Sequence, residues 1–506
     1  MKIHIAPPEV NGDTVRFRWD QSGPNPFQAE NGFFFRYEDL DLDQFSPDLW
    51  TEIFLGLQLK VFAAYDEPIE LEFARPVPRP TAEYWLAFHR AGNVTISPIA
   101  EVASYDPWVA APGPRDDRPR FSRAVFFGGG KDSMLAASLL AEIHGVDRVL
   151  LVQFVHPMLP GEGRAQRLER RMDELILQPA RDALGFATRR VWTDYQAHFL
   201  PAGNLARPHV ELFTVGALPA LLAAGVTMCV FSYSLTAYFT RRLADGTVHF
   251  HYASSRPEVL ATQTAHYNAA LGVDLTVADV IFPLNAFQTF TMLRQRYDAA
   301  FRAIIMCMRA GVGERWCYGC TKCGYYAILS LACGWVDPHF DYEHFFSRSA
   351  FINRIVDYAE SGVELTDLGI APWRKFVSSS MQFFPFCHAA SQISLDLAAS
   401  ILSPDAFGHF LLLKSLFGGR AFPAVEVIPR QAFDLGRHED AGQIALLAAQ
   451  HFPIVTGVPM PRQVGNEPVQ YLISPVYPAP TATVPHIQAF LKAARTMAVS
   501  GTDGGN

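Results

Sequence analysis

Two short stretches of this chain hold residues whose types and spacing can do chemistry. The first is Phe126-Phe127-Gly128-Gly129-Gly130-Lys131-Asp132-Ser133, which ends an apolar run and opens a helical pattern. Glycines accept positive φ and let a ligand come close to the backbone. The free N–H groups at a helix start, with the helix dipole, favour an anion. Lys131 adds a positive charge and Ser133 a hydroxyl donor, so the loop is a candidate phosphate cradle. It is not a Walker loop, which needs Ser or Thr after the lysine and a further glycine five positions before the last one. Asp132 and Val125 stand in those places. Nor is it a dinucleotide fingerprint, because Ser133 occupies the position of the third glycine.

The second stretch is Cys317, Cys320 and Cys323, spaced Cys-x2-Cys-x2-Cys, with Cys307 before them. Four thiolates close a tetrahedral zinc shell and leave no open position, which makes the expected role structural. An iron–sulfur cluster also uses four cysteines. Cys229 and Cys333 read as buried apolar residues. The clustering, the odd total of seven cysteines and the absence of an export signal in MKIHIAPPEVNGD point to a reducing compartment, with cytoplasmic location as the expectation.

The elements that position these residues follow from periodicity. Strands are expected at 123–127, 148–155, 187–192 and 226–231, alternating with helices at 132–143, 164–184 and 210–224. Strand–helix alternation implies an α/β fold, a doubly wound parallel sheet covered on both faces. Such sheets bind ligands at the carboxyl ends of their strands, where the glycine loop would lie. Before it, residues 1–115 read as a small N-terminal α+β domain with short strands at 15–19, 32–37, 69–73 and 94–96 and a helix at 49–64. The proline-rich, charged segment 111–120 reads as a linker. The central domain is expected at 121–335, with a helix at 283–306 leading into the four-cysteine metal knot. Residues 336–506 read as a mostly helical C-terminal region with proline-rich stretches at 422–429 and 452–485 and a disordered tail at 500–506.

Composition limits the function classes. A chain of 506 residues exceeds one hydrophobic core, and 49% hydrophobic with 18% charged residues describes a well-packed globular protein. The net charge of -8 and the lack of a basic stripe argue against a nucleic-acid partner. The arginine cluster at 164–171 also carries Glu169 and reads as a solvated helix face. Residues 212–240 hold no charged side chain, yet Gly216, Pro219 and Gly225 interrupt them, so helix, glycine turn and buried strand is the expectation and no membrane partner follows.

The loop resembles that of the PP-loop ATP pyrophosphatase superfamily (HUP-like), whose signature is Ser-Gly-Gly-x-Asp-Ser. Gly128 stands where that signature has its first serine, so any contact to pyrophosphate at 128 must come from backbone. The resemblance implies cleavage of ATP between the α and β phosphates and adenylation of the substrate. Gly128, Gly129, Gly130, Lys131, Asp132 and Ser133 would hold the departing pyrophosphate, with Mg2+ nearby. A PP-loop followed by a cysteine cluster is similar to the 7-cyano-7-deazaguanine synthases, which adenylate a carboxylate and bind zinc. The family of ATP-dependent epimerases acting on UDP-MurNAc-L-Ala-L-Glu is closer. It combines a Gly-Gly-Gly-Lys-Asp-Ser loop with a Trp-Cys-x-x-Cys-x-Lys-Cys segment, here Trp316 to Cys323, and the Pro385-Phe386-Cys387 step also looks like that family. The likeness spans roughly 30–395 and is strongest at the two motifs. It departs at 231–238, Phe-Ser-Tyr-Ser-Leu-Thr-Ala-Tyr, where that family is polar and acidic.

On this resemblance the substrate is a small-molecule or peptidyl carboxylate, with ATP, Mg2+ and structural Zn2+ as cofactors. Adenylation neutralises a carboxylate and makes its α-proton far more acidic, so a side-chain base can remove it. Lys131 and Asp132 are expected to act at the phosphates and His209 as the base. His251, His388 and Asp194 are further candidates, and Lys322 is either structural or a phosphate contact. The alternatives are an adenylating amide- or nitrile-forming ligase, a sulfur transferase acting on tRNA, and a nucleotide sensor without turnover. The sequence does not speak to oligomeric state.

Overall fold

In the computed structural model the described residues are 1–109, 121–155, 169–200, 208, 210–235, 240–242, 248–250, 253–307, 309–311, 313–360, 380–417, 423–436 and 438–456. The chain forms two compact units. One comprises Met1–Gly128, Ala136–Ser232 and Ser254–Asp279, the other Gly129–Leu135, Tyr233–Ala253 and Val280–Asn506. The expected linker at 111–120 and the tail at 500–506 lie outside the described residues, as do 164–168 of the expected helix, 236–238 of the departing segment, 422 and 457–485 of the proline-rich stretches.

The first unit is built on one sheet. Its strands are β1 (Lys2–Ile5), β2 (Glu9–Asn11), β3 (Thr14–Gln21), β4 (Gly32–Tyr37), β5 (Ile69–Pro78), β6 (Val94–Ala100), β7 (Arg123–Phe126), β8 (Val149–Val155), β9 (Ala187–Thr193) and β10 (Met228–Phe231). The short pair β11 (Thr240–Arg242) and β12 (Val248–Phe250) belongs to the other unit, and β13 (Thr276–Asp279) completes the sheet. The order is β13-β10-β7-β8-β9-β4-β3-β1-β5-β6, with β2 beside β3. From β13 to β9 every pairing is parallel. β7, β8 and β10 are apolar runs buried at every position, as strands covered on both faces must be. β3 instead alternates buried and exposed residues.

The N-terminal strands continue this sheet. β4 pairs antiparallel with β9 in the register Phe35↔Thr193, Arg36↔Trp192 and Tyr37↔Val191. The helices on it pack closely through glycines. A Cβ on Gly56 of the helix Pro47–Phe62 would lie 2.7 Å from Val215 and 2.9 Å from Trp85. A Cβ on Gly216 would lie 2.8 Å from Phe35. The expected helix at 210–224 divides into Val210–Gly216 and Leu218–Ala224, because Pro219 brings no N–H to the turn between them. Gly225 then closes it at φ 70° and feeds β10. Among the described residues no helix is long and apolar enough to cross a membrane.

In the second unit the expected helix at 283–306 is two helices. Asn285 caps Ala286–Arg296 with a capping box, and Tyr297 leaves the helical region at φ -126°, ψ 58°. A short helix, Asp298–Ala303, follows, and Ile304 turns the chain extended at φ -65°, ψ 142°. Beyond the cysteines come the helices Thr321–Ala332, Tyr342–Arg348, Ala350–Glu360, Ser380–Gln392, Leu395–Ile401, Pro404–Phe417, Arg430–Leu435 and Ala441–Ala449. The described part of 336–506 is therefore mostly helical, as its periodicity implies.

Candidate functional site

The glycine loop joins β7 to the helix Lys131–His144. It lies where the sheet order reverses: the chain goes from β7 to β8 on one side and, after β9, to β10 on the other. Open parallel sheets leave their ligand crevice at this point. Gly129 takes φ 71°, which a residue with a Cβ adopts only at a cost. Gly128 is exposed and Gly130 half-buried, and among the described residues no atom would lie within 4 Å of a Cβ on either. Lys131 is 3% exposed and forms an ion pair with the half-buried Asp132. The Ser133 hydroxyl faces Gly130 O at 3.3 Å. A buried ammonium, a hydroxyl and a left-handed glycine at a helix start can hold a polyanion.

The four expected metal ligands come together. The sulfurs of Cys307, Cys317, Cys320 and Cys323 all lie within 4.8 Å of one another. Individual separations are 3.5 Å for Cys320–Cys323, 3.8 Å for Cys317–Cys323 and 3.9 Å for Cys320–Cys307. A single ion about 2.3 Å from four thiolates would space them about 3.8 Å apart, so the donor set fits one tetrahedral ion. The turn is shaped by Tyr318 at φ 55°, by Gly319 N–H donating to Cys317 O at 2.6 Å, and by Cys323 N–H donating to Cys320 Sγ at 3.4 Å. Arg354 donates from Nη2 to Gly319 O at 2.9 Å. Gly324 permits this approach, because a Cβ there would fall 2.4 Å from Phe351.

Crowding sets the thiols apart. Hydrogen bonding, from Cys317 first, holds Cys307 far below the ordinary thiol range, while hydrogen bonding with Cys307 pushes Cys323 far above it. Additional thiolates in so small a volume call for a cation. Cys229 is fully buried, as expected, and burial pushes its thiol up to about 12. Cys333 is only half-buried, at the end of the helix Thr321–Ala332, with Thr291 Oγ1 at 3.7 Å; the expected burial fails because the chain leaves the helix there.

The candidate bases have separate surroundings. His209 and His251 lie outside the described residues. Asp194 follows β9 and is held structurally: it accepts Phe34 N–H at 2.9 Å and sits 3.1 Å from His198 Nε2. His388 is 1% exposed, with Nε2 2.9 Å from Glu426 Oε1 and its ring edge-on to Phe287. Burial lowers its pKa, against the pull of Glu426. Lys322 is exposed in the first turn after Cys320. Sequence reasoning missed Glu426, Arg354 and the Ile305 amide, which donates to Gly129 O at 2.9 Å. It also missed Gln153 of β8, whose buried carboxamide has no hydrogen-bond partner among the described residues. A polar residue inside the apolar run 149–155 was the available signal for that one.

No protein-family model matches the chain, and no curated protein matches it either.

Proposed function

We propose that this protein is an ATP-dependent, AMP- and pyrophosphate-forming enzyme that adenylates a substrate carboxylate. The observation that carries the reading is the Gly-Gly-Gly-Lys-Asp-Ser loop at the carboxyl end of β7, between β8 and β10, with Lys131 buried in the first helical turn. In this reading the backbone N–H groups of residues 128–130, the Lys131 ammonium and the Ser133 hydroxyl bind the β and γ phosphates and stabilise the charge that develops on pyrophosphate. Asp132 would hold Mg2+, which supplies further neutralisation of the phosphates when bound. The four cysteines hold zinc in a closed, structural shell. The resemblance of the loop and of the Trp316 to Cys323 segment to the ATP-dependent epimerases supports epimerisation at the α-carbon of a terminal glutamyl or peptidyl residue, with His209 as the proton-transfer base.

The test is incubation with ATP, Mg2+ and UDP-MurNAc-L-Ala-L-Glu in D2O, following AMP and α-deuteration by mass spectrometry. AMP together with deuterium at the glutamate α-carbon is expected. AMP that forms only with an added amine, without α-exchange, would replace epimerisation by amide formation. No AMP with this or any other carboxylate would remove the adenylation reading.

A further inference from the structure

A backbone hydrogen bond ties the glycine loop to the segment that leads into the cysteine cluster. Residues 304–307 leave the helix Asp298–Ala303 through the extended Ile304 and are buried, at 0, 1, 7 and 0% exposure. The Ile305 N–H donates to Gly129 O at 2.9 Å. Gly129 is the left-handed residue of the loop, so the carbonyl it offers is set by the dihedral that shapes the loop. Two residues further on, Cys307 enters the thiol cluster. Arg315, just before Trp316-Cys317, donates from Nη2 to Arg302 O at 3.0 Å and to Ile304 O at 3.2 Å. The segment is therefore fastened at the knot, at Arg315 and at the loop.

We propose that the metal-loaded cysteine knot holds the glycine loop in its anion-binding shape through residues 304–307, with Ile305 as a positioning residue for the nucleotide acting through its amide. The inference rests on reading the loop as an ATP site and the knot as a metal site. The loop needs such support because its glycines offer no side chains to pack. Two residues span at most about 7 Å, so a shift of Cys307 reaches Ile305 with little damping. Four thiols within 4.8 Å have no reason to keep their arrangement without a cation between them. The knot is then a tensioner for the loop.

The experiment measures the dissociation constant of Mg-ATP by calorimetry for four samples: metal-loaded wild type, chelator-stripped wild type, and metal-loaded I305P and I305A. Proline removes the N–H, and Ile304 already has the extended dihedrals that a residue before proline adopts. Alanine keeps the N–H and loses the side chain. One hydrogen bond corresponds to a roughly tenfold loss of affinity in I305P, with bound metal unchanged, while I305A stays within about threefold of wild type. Stripped wild type is expected to lose at least as much and to recover on adding Zn2+. The proposal is overturned if I305P, folded and metal-loaded, binds ATP as wild type does, or if stripped protein that stays folded does so. Should the stripped protein unfold, the I305P arm decides; should I305P misfold, the stripped arm decides. Loaded wild type that binds no ATP, or wild type that retains no metal, removes the premise and the inference with it.

Discussion

Lys131 is 3% exposed and its nearest charge is Asp132, the next residue in the chain. A buried ammonium is costly unless paired, and the Asp132 carboxylate, about one-third exposed, offsets part of that cost. A second anion beside the loop would find the lysine already desolvated and aimed. Replacing Lys131 by Met keeps the length of the side chain and removes the charge, leaving Asp132 with solvent for a partner. The K131M variant should keep its thermal midpoint within a few degrees of wild type yet bind Mg-ATP at least tenfold more weakly by calorimetry. A large loss of stability without a selective loss of affinity would mean that Lys131 is a structural ion pair only. The sequence showed the loop because its chemistry is contiguous. It did not show Glu426 beside His388, or Arg354 over Gly319, because those partners are distant in the chain and their residue types are common.

The helices on the sheet of the first unit are held by buried polar groups. Glu52, on Pro47–Phe62, is fully buried and accepts from Thr81 at 2.8 Å, Trp85 at 2.6 Å and Tyr105 at 3.0 Å, with His266 Nε2 at 2.7 Å. His89 ends the helix Arg79–Phe88, with Nε2 3.0 Å from Gly56 O. Burial lowers its pKa to about 4, opposed by Glu211 and aided by Lys60. The unfolded chain therefore binds a proton at His89 between its ordinary value of 6.5 and about 4, and the native state does not. Stability must fall as pH drops through that window, and His89 adds nothing further below it. His198 has the opposite sign: hydrogen bonding to Asp194 raises its pKa, so its contribution is present below the unfolded value and is lost as pH rises through the folded one. Urea unfolding of wild type and H89Q from pH 7 to pH 4 should show the variant losing less, by up to about 3 kcal/mol. Parallel curves would remove His89 from the acid response. Elements differ in how far the sequence reveals them. β7, β8 and β10 are short, mostly apolar runs and read correctly. The non-helical segment 304–307 did not, because a short buried apolar run has the same pattern in a helix as outside one. The β4–β9 pairing was hidden for another reason, since strand partners so distant in sequence leave no local trace.

At the scale of the whole chain, a metal held by the four cysteines would bear on the two units differently. All four cysteines belong to the second unit, whose described part is mostly helical and has only short strand pairs, β11 with β12 and Ile428–Pro429 with Ile454–Val455, whereas the strands β7 to β10 belong to the first. Binding energy at a structural metal site is folding energy for whatever the ligands organise. Here that is the helix Thr321–Ala332, capped at Cys320, and the helix Ala350–Glu360, which meets it where Phe351 covers Gly324. Local opening follows such cooperative groupings more than position in the chain. Hydrogen exchange before and after chelation should therefore show protection falling first in residues 304–307 and 321–332, then in 350–357. β8, buried at all seven positions, should keep its slow amides. The glycine loop tests the partition most sharply, because the boundary between the units falls at Gly128 and Gly129. If the knot supports the loop, the amides of 129–133 exchange faster on chelation while those of β7 do not. Equal loss in β7 and the loop would instead make metal binding a property of the entire fold, and the selective link through Ile305 would be wrong.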